Sequence, residues 1–151
     1  MNNPVSFELA KLLKEKGFNE PTIDQYYLSN GIYKLKEIKE GVFSNSELEK
    51  DGENYGGSNP NFWISAPTIA DVVMWLYEKY HTFISVVNEP NVHRFKWIIT
   101  NLALVGYKRY IHSDKLKEMN EEETEYLYQH YFNSPIEAYE AGIKYCLEKV
   151  I

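Results

Sequence analysis

The chain carries few groups whose types and spacing could do chemistry. Its histidines fall in four separate segments, without the short spacing that brings metal ligands together on one face of a helix or loop: His81, His93, His112 and His130. No Gly-x-Ser-x-Gly elbow presents a serine nucleophile, and no glycine-rich loop runs into a Lys-Ser or Lys-Thr pair that could bind phosphate. The sequence therefore predicts no catalytic residue, no metal site and no cofactor. It leaves open an enzyme whose site is assembled from distant residues.

A run of acidic side chains is the next candidate for chemistry: Glu121, Glu122, Glu123 and Glu125. Consecutive residues of a helix point in different directions, so these carboxylates cannot converge on one cation without help from elsewhere. Asn120 is a typical N-cap, and carboxylates in a first helical turn are stabilised by the helix dipole. We therefore interpret this run as the solvated start of a short helix that ends near Tyr131.

The middle third of the chain interleaves cations with aromatic residues. Its net charge is +2 over residues 61–112, against −6 for the whole chain, and its cations include Arg94, Lys96, Lys108 and Arg109. On an exposed sheet face such a mixture can bind single-stranded nucleic acid by stacking on bases and pairing with phosphates. Alternation along a strand, however, places Arg94 and Lys96 on one face and the intervening aromatic residues on the other, where they are expected in the core. Nucleic-acid binding is therefore the alternative hypothesis.

Aromatic residues make up 15% of the 151 residues, with thirteen Tyr, seven Phe and three Trp. Tyr26 and Tyr27 are adjacent in a predicted strand, so one of them must face away from the side that packs on the core. Tyrosine combines a large contact area with a polar tip and is enriched at protein interfaces. The pattern predicts a surface for a protein partner or for self-association, with simple packing of a small sheet as the open alternative. The candidate partner-binding residues are Tyr26, Tyr27, Tyr33, Tyr55, Trp63 and Trp75.

The overall composition is that of an acidic globular protein, with 44% hydrophobic and 25% charged residues, and excludes collagen-like and wholly disordered classes. A net charge of −6 disfavours non-specific attraction to phosphate backbones. The single cysteine, Cys146, cannot form an intramolecular disulfide and fits a buried position in a reducing, cytoplasmic protein. No secretory signal is visible, and the longest apolar uncharged stretch has eleven residues, whereas spanning a bilayer takes about 20. We therefore expect no membrane partner.

Three helices are predicted from apolar stripes and capping residues. Residues 6–16 form the first, with a serine cap, and end on Gly17 in the left-handed conformation that terminates helices. Residues 67–80 repeat apolar side chains with the helical period, and Trp75 lies off that stripe, so it packs on another element or is available to a partner. Residues 134–150 begin with Ser-Pro-Ile-Glu, which combines an N-cap, a proline in the first turn and a capping-box glutamate.

The other segments predict strands and one insert. Residues 25–28 and 32–35 flank Asn30-Gly31, the preferred dipeptide of a type I′ turn, so we expect a β-hairpin with Tyr33 opposite the tyrosine pair. Residues 44–61 are polar and rich in Asn, Ser and Gly, which predicts a flexible or irregular insert. A three-stranded antiparallel meander is predicted from the β-branched and aromatic segments 82–87, 94–100 and 107–111.

These elements predict a single α+β domain over residues 1–151. Its antiparallel sheet, formed by the hairpin and the meander, is expected to be packed by N-terminal, central and C-terminal helices.

Several segments together resemble a group of small prophage-encoded and mobile-element-encoded proteins of gut bacteria, a family of unknown function. The resemblance lies in Leu-Leu-Lys-Glu-Lys-Gly-Phe at 12–18, Ser-Ala-Pro-Thr at 65–68, Trp-Leu-Tyr-Glu-Lys-Tyr-His at 75–81 and Ser-Pro-Ile-Glu-Ala-Tyr-Glu-Ala-Gly-Ile at 134–143. It implies a phage or mobile-element setting and carries no reaction or site residue. Our leading hypothesis is a cytoplasmic, non-catalytic accessory protein that acts through protein contact or self-association.

Overall fold

The helical and strand patterns of the sequence fold into an α+β structure, as predicted, but the hairpin and the meander lie in two three-stranded sheets rather than in one. The computed structural model describes residues 3–37, 41–55, 62–91, 93–102, 110–113 and 131–151. The chain divides into two compact units, Met1–Ala70 and Asp71–Ile151. That residues 1–151 form one domain stays a prediction.

The first unit is built on a three-stranded antiparallel sheet in the order β2-β1-β3. Its elements are α1 (Phe7–Glu15), β1 (Asp24–Ser29), β2 (Ile32–Glu37), α2 (Asn45–Tyr55) and β3 (Trp63–Ser65). A further helix, α3 (Ile69–Tyr80), begins at the end of this unit. The central strand β1 pairs on both sides, which leaves β2 and β3 as the outer strands among the described residues.

Helix α1 ends as the sequence predicts. Gly17 takes a positive φ of 85°, and the Phe18 N–H then donates to the Leu13 carbonyl at 2.9 Å. This closing turn buries the Phe18 ring and directs the chain toward β1. The predicted cap at the start of the helix is wrong in one respect, because the Ser6 side chain makes no capping hydrogen bond.

The Asn-Gly turn joins β1 to β2 and sets their register. Asn30 and Gly31 have φ values of 51° and 76°, the two positive angles that a type I′ turn requires. Ser29 consequently pairs with Ile32, and Tyr33 lies opposite Leu28. The hairpin is therefore confirmed, but the expected position of Tyr33 opposite the tyrosine pair is wrong.

Helix α2 occupies much of the segment for which an irregular insert was predicted, and residues 56–61 lie outside the described part of the chain. Its start is a capping box, in which the Glu47 carboxylate accepts the Ser44 N–H at 2.8 Å and the Ser44 hydroxyl at 2.9 Å. Leu48 is buried, and Lys14 of α1 pairs with Glu49 at 3.0 Å. The polar composition did not predict this helix, because capping and a few specific contacts stabilise it instead of a broad apolar stripe.

The capping box makes the stability of the first unit depend on pH. The Ser44 N–H holds the pKa of Glu47 below its usual value of 4.5, with the Ser44 hydroxyl acting in the same direction. A pKa that is lowered in the folded state adds stability above the unfolded pKa, and this stability is lost as the pH falls through the folded pKa. We expect Glu47→Gln to remove this part of the acid dependence in denaturant unfolding followed between neutral and acidic pH. Glu20→Gln, an exposed change outside the cap, should leave it intact, and equal profiles for the two variants would contradict the assignment.

The second unit contains the predicted meander in the order β4-β5-β6. Its elements are β4 (Thr82–Glu89), β5 (Arg94–Asn101), β6 (Tyr110–His112), α4 (Pro135–Tyr145) and a π-helical turn, Cys146–Val150. Residues 107–109 of the predicted third strand, and the acidic helix predicted between Asn120 and Tyr131 apart from its last residue, lie outside the described residues.

The capping box predicted for α4 is present in modified form. The Ser134 hydroxyl oxygen accepts the Glu137 N–H at 3.2 Å, and the Glu137 carboxylate accepts the N–H of Asn133 rather than that of the cap residue itself. In the turn that follows, Cys146 is buried, as predicted, and burial raises the pKa of its thiol to about 12. A thiol with this pKa stays protonated and unreactive at neutral pH.

Helix α4 packs closely on the sheet because of a glycine. Trp97 on β5 is fully buried, and a Cβ atom on Gly142 would lie 3.0 Å from its Cγ and 3.2 Å from Cγ2 of Ile84 on β4. Alternation along β5 thus directs its aromatic side chains into the core and Arg94 and Lys96 to the opposite face, as the sequence predicts.

Candidate protein-binding surface

The adjacent tyrosines of β1 lie on opposite faces of the first sheet. On one face, the Tyr26 hydroxyl donates to the Val5 carbonyl at 2.7 Å, and its ring meets that of Phe7 edge-on at 5.4 Å. Tyr33 shares this face, and its ring stacks on Phe7 with centroids 4.0 Å apart. Both tyrosines are therefore engaged in packing against α1 and the segment before it.

The other face carries two aromatic residues and two lysines. Tyr27 of β1 lies directly between Lys34 of β2 and Trp63 of β3, and the Tyr27 and Trp63 rings are 5.5 Å apart. The Lys36 ammonium group lies 5.7 Å from the centre of the Trp63 ring, a cation–π distance. Tyr27 and Trp63 are half-buried, whereas both lysines are exposed. We call these four residues the Tyr27 face.

One end of the Tyr27 face is buried, and the other end is exposed to solvent. Gln25, two residues along β1, is fully buried, and its amide nitrogen donates to the carbonyls of Thr22 and Ile23. Toward the turn, Ile32 is 64% exposed, although it is one of the larger apolar side chains. Neither Lys34 nor Lys36 makes a salt bridge within the part of the chain that the structure describes.

The two outer edges of this sheet differ in how their backbone groups are arranged. Leu28 donates its N–H to Phe62 on the β3 side, so alternation turns the N–H of Tyr27 toward β2. The N–H and carbonyl of Lys34, which pairs with Tyr27, therefore point toward β1. Those of its neighbour Leu35 point away from β1, out of the edge of the sheet. No described strand pairs with β2 on that outer side.

A side chain binds an outward backbone group on the opposite edge, at the end of β3. Asn45, at the start of α2, accepts the outward N–H of Ser65 through Oδ1 at 2.9 Å and donates from Nδ2 to the Phe18 carbonyl at 2.8 Å. The residue is buried, so both hydrogen bonds satisfy groups that water does not reach. One amide thereby joins the end of α1, the start of α2 and the outer edge of β3.

We expect Asn45→Ala to lower the free energy of unfolding by about 1–3 kcal/mol, because it leaves a buried N–H and a buried carbonyl without partners. Lys50→Ala, an exposed change farther along the same helix, should cost about 0.5 kcal/mol or less. Urea unfolding of both variants measures the difference. Equal losses would contradict the bridging role of Asn45.

Two predicted partner-binding residues are left, Trp75 and Tyr55. Trp75 is only 5% exposed, and its ring lies edge-on to Tyr80 at 5.3 Å with the Lys79 ammonium group 5.2 Å above it. The sequence predicts that Trp75 either packs on another element or is available to a partner, and in the structure its side chain is packed. Tyr55 ends α2, and its side chain lies outside the described residues.

The predicted nucleic-acid surface is described only in part. Arg94 is exposed, Lys96 pairs with Glu89 at 3.2 Å, and Lys108 and Arg109 lie outside the described residues. The face that carries Arg94 also presents exposed rings that flank Thr100, namely those of Phe83 and Tyr110. Nucleic-acid binding stays a prediction.

Sequence reasoning missed Lys34, Lys36 and Asn45 as contributors to the surface and its edges. The lysines could have been found, because the two-residue turn sets the register and alternation then places both beside Tyr27. Asn45 had no local signal, since its partners lie 27 and 20 residues away in the chain.

No group of three His, Cys, Asp or Glu side chains within the described residues could hold a metal ion. None of the described helices is long and apolar enough to cross a membrane. No family model, curated protein or solved structure matches the chain. The resemblance to phage-encoded proteins stays a prediction.

Proposed function

We propose that this chain is a non-catalytic protein-binding module that binds its partner through the Tyr27 face. The observation that carries the proposal is the row of Lys34, Tyr27 and Trp63 across three paired strands, with both aromatic rings partly open to solvent. A few residues contribute most of the binding energy at many interfaces, and Trp and Tyr are enriched among them.

The arrangement favours binding because the rings are held before a partner arrives. Tyr27 and Trp63 contact each other, and Phe62 packs edge-on against Trp63 at 5.8 Å. A side chain that is already ordered loses little conformational entropy when a partner covers it. The two exposed lysines beside the rings add long-range attraction for a partner of opposite charge.

A setting in a prophage or mobile element, in the cytoplasm, is part of the proposal. Its support is the resemblance of the helix-start and helix-end motifs to those of phage-encoded proteins, together with the single buried cysteine.

The test is capture of a partner from a lysate of the source cells with immobilised wild-type protein and with Trp63→Ser and Tyr27→Ser. We expect each variant to weaken retention of the same protein by at least about tenfold, the loss that truncation of a central aromatic contact produces. Phe83→Ser is the matched control, because Phe83 is an exposed aromatic residue on the other sheet. Thermal unfolding of each variant verifies folding. Undiminished retention by the two variants, or a strictly monomeric wild type that retains nothing, would contradict the proposal.

A further inference from the structure

The outward backbone groups of Leu35 on β2 are open, whereas an outward N–H on the opposite edge, on β3, is bonded. Leu35 directs its N–H and carbonyl away from β1, and no described group pairs with them, whereas Asn45 accepts the outward N–H of Ser65 on β3. An open strand edge is a template on which another extended chain can form backbone hydrogen bonds. The side chains along β2 determine which chain can do so.

A second copy of this chain is a poor occupant of the edge. In such a pair, β2 would run antiparallel to β2 of the second copy, with the Tyr27 faces of both sheets on the same side. The two registers with the most paired residues are then centred on Lys34 or on Leu35. The first register sets Lys34 opposite the same lysine of the copy, and the second sets Lys34 opposite Lys36. Like charges directly opposite each other destabilise a strand pair, and lysines on edge strands commonly prevent such pairing.

The same lysines select a partner of opposite charge. Lys34 and Lys36 are exposed on the Tyr27 face, and Leu35 between them presents an apolar side chain, 48% exposed, on the opposite face. An added strand would match this alternation if every second residue were acidic and the residues between were apolar.

We infer that β2 binds an extended acidic segment of a protein partner as an additional antiparallel strand, with Asp or Glu opposite Lys34 and Lys36 and an apolar residue opposite Leu35. The inference rests on the proposed function, since it names the class of partner for the surface beside Tyr27. It specifies both the charges of the segment and the backbone groups that bind.

The probe is a short peptide of alternating Glu and Val, acetylated and amidated at its ends and labelled with a fluorophore for anisotropy. We expect it to bind the full chain with an affinity that falls as salt is added. Combining Lys34→Glu with Lys36→Glu should weaken this binding by at least about tenfold and give comparable affinity for a peptide of alternating Lys and Val. Combining Lys11→Glu with Lys144→Glu, at exposed helical positions, is the control with the same change in net charge and should leave binding unchanged. Equal weakening by both pairs would overturn the inference.

Backbone pairing has its own test in N-methylated peptides. In an antiparallel pair, the peptide residue opposite Leu35 exchanges both hydrogen bonds with it, and that residue is a Val. Methylation of the Val nitrogens should therefore abolish binding, whereas methylation of the Glu nitrogens should not. Binding that is indifferent to methylation, or that only Glu methylation blocks, would overturn the antiparallel strand.

The two proposals fail in different ways. If Trp63→Ser releases the captured partner but the Glu-Val peptide does not bind, the protein-binding function stands and the strand addition is wrong. If the peptide binds as described but Trp63→Ser and Tyr27→Ser retain the partner undiminished, the edge is the binding site and the Tyr27 face is not. A wild-type dimer that Leu35→Pro dissociates would overturn the inference, because the edge would then bind a second copy.

Discussion

Hydrogen bonding of β1 on both of its sides is the interaction on which the first unit depends. Pairing with β2 and β3 determines which side chains share a face, so Tyr26 packs toward α1 while Tyr27 lies beside Trp63 on the other side. A shift of either register by one residue would exchange the two faces. The partly open aromatic row therefore follows from the turn and the ladder together.

The two outer edges of the same sheet differ in the hydrogen bonding of their backbone groups. On β3, the Asn45 amide binds the outward N–H of Ser65 and connects that end of the strand to α1 and α2. On β2, Lys34 and Lys36 disfavour pairing between copies while leaving the backbone of Leu35 accessible. Lysines that disfavour pairing of β2 with a second copy do not prevent the same edge from binding a segment of opposite charge.

Local rules predicted most of the fold. The Asn-Gly turn, the Gly17 helix end, the serine cap of α4 and the alternation that buries Trp97 each depend on residues close in the chain, and the structure confirms them. Helix α2 was missed because long-range hydrogen bonds of Asn45 and a capping box stabilise a polar segment. For the candidate surface, the pattern selected Tyr27 and Trp63 together with Tyr26, Tyr33 and Trp75. The strand register places Tyr26 and Tyr33 on the other face of the sheet, and packing against Tyr80 buries Trp75.

The central claim is that the outward backbone groups of Leu35 on β2 are open, whereas Asn45 binds the outward N–H of Ser65 on β3. Amide hydrogen exchange measured residue by residue by NMR on the intact chain tests it most directly, because an N–H that is hydrogen-bonded in a stable sheet exchanges slowly. We expect slow exchange at Lys34, Lys36 and Ser65, and fast exchange at Leu35, between the two lysines. Protection of Leu35 equal to that of Lys34, or fast exchange at Ser65, would contradict it.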